Sequence, residues 1–210
     1  MLSIITTLLL IKNFIKIKFP DLDYHSIYRS LFCFFISTFS CFTIFINWDI
    51  FITDPLAYTL QSYIINTFMV VYMGYDLIWI FVKKRFRLDL FIHHILCLIG
   101  YIMYGQHILL TYYAINEIIS AFNWVSLVFP NYDWVVRILK LISIIFVRLF
   151  VWINSLILMY NTEYFYIILI FMIGFISLDI FWITIIIGNM LKNIAIKTVQ
   201  YIKKNKYKNN

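Results

Sequence analysis

Long apolar runs, broken by short polar stretches, make up almost the whole chain. They extend from Leu31 to Ile52, Ser62 to Val82, Leu90 to Tyr104, Ile108 to Phe129, Ile138 to Tyr160 and Tyr164 to Leu191, with a shorter run from Met1 to Ile11 ahead of them. A helix needs about 20 apolar residues to cross the ~30 Å hydrocarbon core of a bilayer. Most of the runs have that length. Polar residues do not alternate within them, so they do not read as barrel strands. In lipid the remaining way to satisfy every backbone amide is an α-helix. The pattern predicts an all-α polytopic membrane helix bundle of about six or seven transmembrane helices around an intramembrane polar cavity. The run from Leu90 is short, Pro130 stops the one before it, and the last is long enough to need tilt or a kink, with Gly174 the candidate position. Residues 1–24 read as a hydrophobic anchor or interfacial segment, 25–200 as the membrane domain and 201–210 as a basic tail. No soluble domain, linker or internal repeat is expected.

Composition supports this reading. Of 210 residues, 63% are hydrophobic and 13% charged, where a soluble domain has about 25% charged. The formal net charge of +7 would suit nucleic acid, but its distribution argues against that partner. The basic residues lie between apolar runs and in the tail. Lys12, Lys16, Lys18 and Arg29 precede the Leu31 run, Lys83, Lys84, Arg85 and Arg87 precede the Leu90 run, and Arg137 and Lys140 follow Pro130. The intervening loops carry Asp49, Asp54 and Glu163. Such alternation follows the positive-inside rule and predicts a cytosolic C-terminus. Cys33, Cys41 and Cys97 all fall in apolar runs and read as packing residues.

Ionisable residues inside the spans carry the candidate chemistry, because burying them in lipid is costly. They are Asp76, His93, His94, Glu117, Arg148 and Asp179. With a helix rise of about 1.5 Å per residue, Asp76 lies about 10 Å in from Lys83, and His93 about 9 Å in from Arg87. Asp76, His93 and His94 therefore share a depth and form the candidate catalytic set. Glu117 and Arg148, deeper in, are expected to neutralise each other. Asn116, Ser120 and Asn123 form one helical stripe, and Arg148, Trp152 and Ser155 another. Together with Glu117 and Asp179 these residues read as a cavity lining or as a structural polar network that glues helices together.

Four histidines are too few for a membrane di-iron centre, and no metal site is expected. Neither a G-x-S-x-G nucleophile turn nor a Gly-rich phosphate loop is present. A histidine pair beside a carboxylate remains, able to act as a general base or as an acyl-carrying nucleophile.

These residues resemble the TLC superfamily, which includes the ceramide synthases. The run Gly74-Tyr75-Asp76-Leu77, a basic loop, and His93-His94-Ile95 come in the family's order. Glu117, Ser120, Phe122 and Asn123 are similar to its Glu-x-x-Ser-x-Phe-x-Asn stretch, Phe146-Val147-Arg148 to its Phe-x-Arg element, and Asp179-Ile180-Phe181-Trp182 to its closing segment. The resemblance covers roughly residues 25–200 and implies membrane lipids as partners, no bound cofactor, and acyl-CoA as co-substrate of an N- or O-acyltransferase that uses the His pair. The His-Asp-x-x-Asp element of ceramide synthases has no counterpart in Tyr112-Tyr113-Ala114-Ile115-Asn116-Glu117. The alternative reading is accordingly a non-enzymatic regulator of lipid composition or a cargo receptor. Lys206 and Lys208, fifth and third from the end, resemble a dilysine retrieval signal of the endoplasmic reticulum. Homo- or hetero-oligomers through the membrane helices are also expected.

Overall fold

The computed structural model describes residues 10, 13, 14, 16, 17, 24–82, 86–105 and 107–208. Most of the N-terminal segment, the basic run Lys83, Lys84 and Arg85, and the side chains of Lys206 and Lys208 lie outside what is described.

Apolar runs of this length become helices, and among the described residues no strand forms. Tyr58 and His107 alone make an isolated antiparallel bridge. Among the described residues four helices are long and apolar enough to cross a membrane: His25–Ile46, Leu60–Val82, Pro130–Met159 and Phe165–Ile196, with Leu88–Met103 a shorter apolar helix. Their outward faces carry large exposed apolar side chains, such as Phe34, Phe35, Phe39, Phe42 and Phe45 on the first and Ile170, Ile173 and Ile180 on the last. So much apolar surface is disfavoured in water and favoured against hydrocarbon.

Two expectations about continuity are corrected. The run from Leu31 to Ile52 breaks at Asn47 into Tyr24–Ile46 and Trp48–Thr53, where the Asn47 side chain donates to the Thr43 carbonyl. Between residues 108 and 128 the chain is not one helix. It runs as Ile108–Ala114, a tight 3₁₀ turn Ile115–Glu117, then Ile118–Ala121 and Asn123–Val128. The last helix extends from Phe165 to Lys208, well past its apolar part. Its Gly174 lies against the Leu96 side chain, which is where a Cβ would make ordinary contact.

The first helix packs along the whole 108–128 segment and against Leu60–Val82. Leu60–Val82 packs on Leu88–Tyr104, that helix on the last, and the last on the 130–159 helix, which returns to the 108–128 segment. A core including Cys33, Met69, Tyr72, Met73, Leu109 and Trp152 fills the ring so closed. At one end, the loop after Pro55 is clasped to the segment at His107. Ile108 and Leu109 donate backbone hydrogen bonds to the carbonyls of Ala57 and Pro55, the His107 ring donates to the Leu56 carbonyl, and the Asn66 amide donates to the His107 carbonyl. Gly105, two residues earlier, has φ 63°, and a Cβ there would stand 3.3 Å from the Tyr58 hydroxyl. Gly105→Ala is expected to destabilise the protein by about 1–3 kcal/mol through backbone strain. A lowered thermal midpoint in detergent, with only partial relief in the Gly105→Ala/Tyr58→Phe double variant, is the result to look for.

Candidate functional site

Two departures from regular helix set the site. The 3₁₀ turn carries Asn116 and Glu117. A wide π turn, Ser143–Arg148, carries Arg148 in the middle of the 130–159 helix. A π turn inserts a residue into a helix and re-aims the side chains around it. The two turns pack against each other, which brings Glu117 and Arg148 to the same wall. Ser37 donates to the carbonyl of Ala114, at the point where regular helix gives way to the 3₁₀ turn.

The buried charges pair differently from the sequence expectation. Glu117 faces His93, with Nε2 to Oε1 at 3.3 Å, and the Cys33 thiol donates to its other oxygen at 3.4 Å. Arg148 donates from Nη1 to Asp179 Oδ1, and Trp152 Nε1 donates to Asp179 Oδ2 at 3.2 Å. The guanidinium also lies 5.0 Å from the centre of the Trp182 ring. Arg148 therefore neutralises Asp179, not Glu117, because the π turn rotates it toward the last helix.

Asp76 is a hub, fully buried. It accepts from His25 Nε2 at 2.8 Å, and Arg29 Nη1 and His94 Nδ1 stand 3.6 and 3.5 Å from its Oδ2. The histidine pair is thus divided, His94 toward Asp76 and His93 toward Glu117. His25 and Arg29 are not among the ionisable residues that the sequence places inside the spans. A spacing of four along the first helix, His25, Arg29, Cys33 and Ser37, could have identified them as one inward stripe.

Two cavities meet at His93. One, of about 50 Å³, is almost wholly apolar, with Met69, Leu96, Leu110, Ile168 and Phe171 in its wall and His93, Asn116, Glu117 and Arg148 as its polar part. The other, of about 280 Å³, has a mixed polar and apolar lining. It holds Arg29, Arg87, Arg137 and Lys140 together with His93, His94, Glu117 and Arg148, and Arg29 and Arg87 also line a neighbouring cavity of about 250 Å³ that reaches Asp76 and His25. His93, Glu117 and Arg148 form the partition between the apolar and basic sides. The expected stripe of Asn116, Ser120 and Asn123 is split by the 3₁₀ turn. Asn116 faces the apolar cavity, while Ser120 and Asn123 face the basic one, where Lys140 donates to Asn123 Oδ1. Ser155 of the other stripe is buried and bonds to the Val151 carbonyl in its own helix.

The cysteines also differ from simple packing. Cys33 touches Glu117, and Cys97 Sγ lies 3.8 Å from His93 Nε2 in the apolar cavity, whereas Cys41 is exposed on the outer face. Among the described residues, His93 Nδ1, both amide atoms of Asn116 and Arg148 Nε are buried without a hydrogen-bond partner. Leaving such groups unsatisfied costs about 1–3 kcal/mol each, so each calls for a physical role.

The chain matches no family model, no curated protein and no solved structure.

Proposed function

We propose that this is an integral membrane protein of the TLC type that transfers an acyl chain from acyl-CoA to a lipid amine or hydroxyl, with His93 as general base. The observation that carries the reading is the His93–Glu117 pair at the partition between an apolar and a basic cavity. With Nε2 donating to Glu117, the neutral form of His93 has its Nδ1 lone pair bare. That nitrogen is buried and has no partner among the described residues. It is poised to take the proton of an acceptor N–H or O–H, while the carboxylate stabilises the imidazolium that forms. The attacking atom then displaces the thiolate of coenzyme A, and the proton passes from His93 to that sulfur. The apolar cavity suits the acyl side of the bond being broken. Arg29, Arg87, Arg137 and Lys140 suit the phosphates of coenzyme A, which would compete with Asp89 for Arg87 and with Asp133 for Arg137.

The same cluster supports the topology. Residues from three separate basic stretches converge on one cavity, as they would at the cytosolic face of six or seven spans. The Tyr58–His107 clasp then belongs to the opposite face.

Lipidomics of cells expressing wild type or His93→Gln tests the reading. Wild type is expected to raise at least one acylated lipid class, and His93→Gln, whose amide can still donate to Glu117, to abolish that rise, a loss of at least about 100-fold as for other general bases, with the two compared at matched amounts of folded protein. An unchanged lipid profile with wild type would favour the non-enzymatic regulator or cargo receptor, a reading that the small volume of the apolar cavity supports.

A further inference from the structure

The polar end of the apolar cavity has a composition that base catalysis does not explain. Asn116 is 3% exposed and lines that cavity, and neither its amide nitrogen nor its amide oxygen has a hydrogen-bond partner among the described residues. Arg148 is equally buried and lines the same cavity. Its Nη1 is committed to Asp179, but its Nε has no partner among the described residues. Trp182 and Asp179 hold the guanidinium from the other side. Two buried N–H donors on two adjoining irregular turns thus stand in the wall of a mainly apolar space, beside His93 and Glu117.

A hydrocarbon alone would leave both donors unmet. An anionic head would meet them, but it would stand beside Glu117 in a low-dielectric wall and be repelled. A neutral carbonyl on an aliphatic chain satisfies both conditions. The cavity, at about 50 Å³, admits the carbonyl end of a flexible chain and not a rigid polycyclic body.

We propose that Asn116 Nδ2 and Arg148 Nε form a carbonyl-oxygen site, holding the acyl group's C=O at the His93 partition and stabilising the oxyanion that develops on it as the proton taken up by His93 offsets the Glu117 charge. The proposal rests on the acyl-transfer reading and adds to it the substrate's point of attachment. The reaction balances simply. The acceptor's N–H or O–H proton goes to His93 Nδ1 as the new C–N or C–O bond forms, and negative charge moves to the carbonyl oxygen between Asn116 and Arg148. Collapse of that tetrahedral species breaks the C–S bond, and His93 returns the proton to the thiolate. Asn116 Oδ1 remains free to accept a hydrogen bond from the incoming amine or hydroxyl.

The test uses two unreactive acyl-CoA analogues and the full chain in nanodiscs. In one analogue a methylene replaces the sulfur and the carbonyl is kept. In the other the carbonyl is a methylene as well. Wild type should bind the ketone about tenfold more tightly than the hydrocarbon, as expected of about one to two hydrogen bonds to a buried carbonyl. Asn116→Leu should erase most of that difference while still binding the hydrocarbon analogue. Equal binding of both analogues by wild type overturns the carbonyl site, and so does absence of binding by either. The wild-type comparison does not depend on the variant folding. A ketone preference in a protein with no turnover of acyl-CoA would leave the carbonyl site standing and reject the transferase.

Discussion

Arg148→Ala should sharply reduce the yield of folded protein. Arg148 and Asp179 are both buried, and their charges compensate each other across the 130–159 helix and the last helix. Without the guanidinium, Asp179 keeps only the Trp152 indole as a donor among the described hydrogen bonds. Removing one partner of a buried ion pair costs about 3–5 kcal/mol, a large part of a net stability of about 5–15 kcal/mol. The double variant Arg148→Met/Asp179→Leu should recover most of the loss, because two apolar groups of similar size leave no orphaned charge. Size-exclusion profiles and thermal midpoints in detergent check both expectations. A double variant as unstable as the single one would show that the ion pair is not what holds these helices.

A loss of comparable origin is expected for Asp76→Leu. Here one carboxylate serves three groups from two other helices, His25, Arg29 and His94. Its removal leaves a guanidinium and two imidazoles facing one another with no acceptor between them. The cost should fall at the lower end of about 3–5 kcal/mol, because the Arg29 side chain is 18% exposed and can turn into the adjoining basic cavity. Asp76→Asn should be milder, since an amide oxygen still accepts from His25. Adding Arg29→Met to Asp76→Leu should restore part of the loss. The same detergent measurements apply, and equal destabilisation by Asn and Leu would mean that charge is not the controlling factor at this position.

The Arg148 prediction concerns a pairing that no linear reading established, and the Asp76 prediction adds His25 and Arg29 to the expected neighbourhood of Asp76 and His94. The sequence pointed to Glu117 as the partner of Arg148, because each is the obvious opposite charge at a similar depth. Depth follows from counting residues at about 1.5 Å each. Azimuth does not. A single residue of slippage turns a side chain by about 100° around its helix, and both residues sit on turns that depart from regular α geometry. Those turns send Arg148 to Asp179 and leave Glu117 to His93. The same effect divides Asn116 from Ser120 and Asn123, which a uniform helix would have kept on one face.

His25 and Arg29 show the complementary difficulty. Their charges looked like the polar border of a span, a position where lysine and arginine are ordinary. They became part of the site only because the first helix lies against both Leu60–Val82 and the 108–128 segment.

The apolar runs alone determine that the described chain is helical, that several helices are long enough for a bilayer, and which residues are too polar to face lipid. Those properties depend on run length, hydropathy and backbone hydrogen bonding, all of which are local. Which buried groups meet, which are left unpartnered, and the existence of an apolar and a basic cavity on either side of His93 were decided only in three dimensions. Ion pairing and cavity shape depend on helix rotation and on two irregular turns, and these are set by packing between segments far apart in the chain.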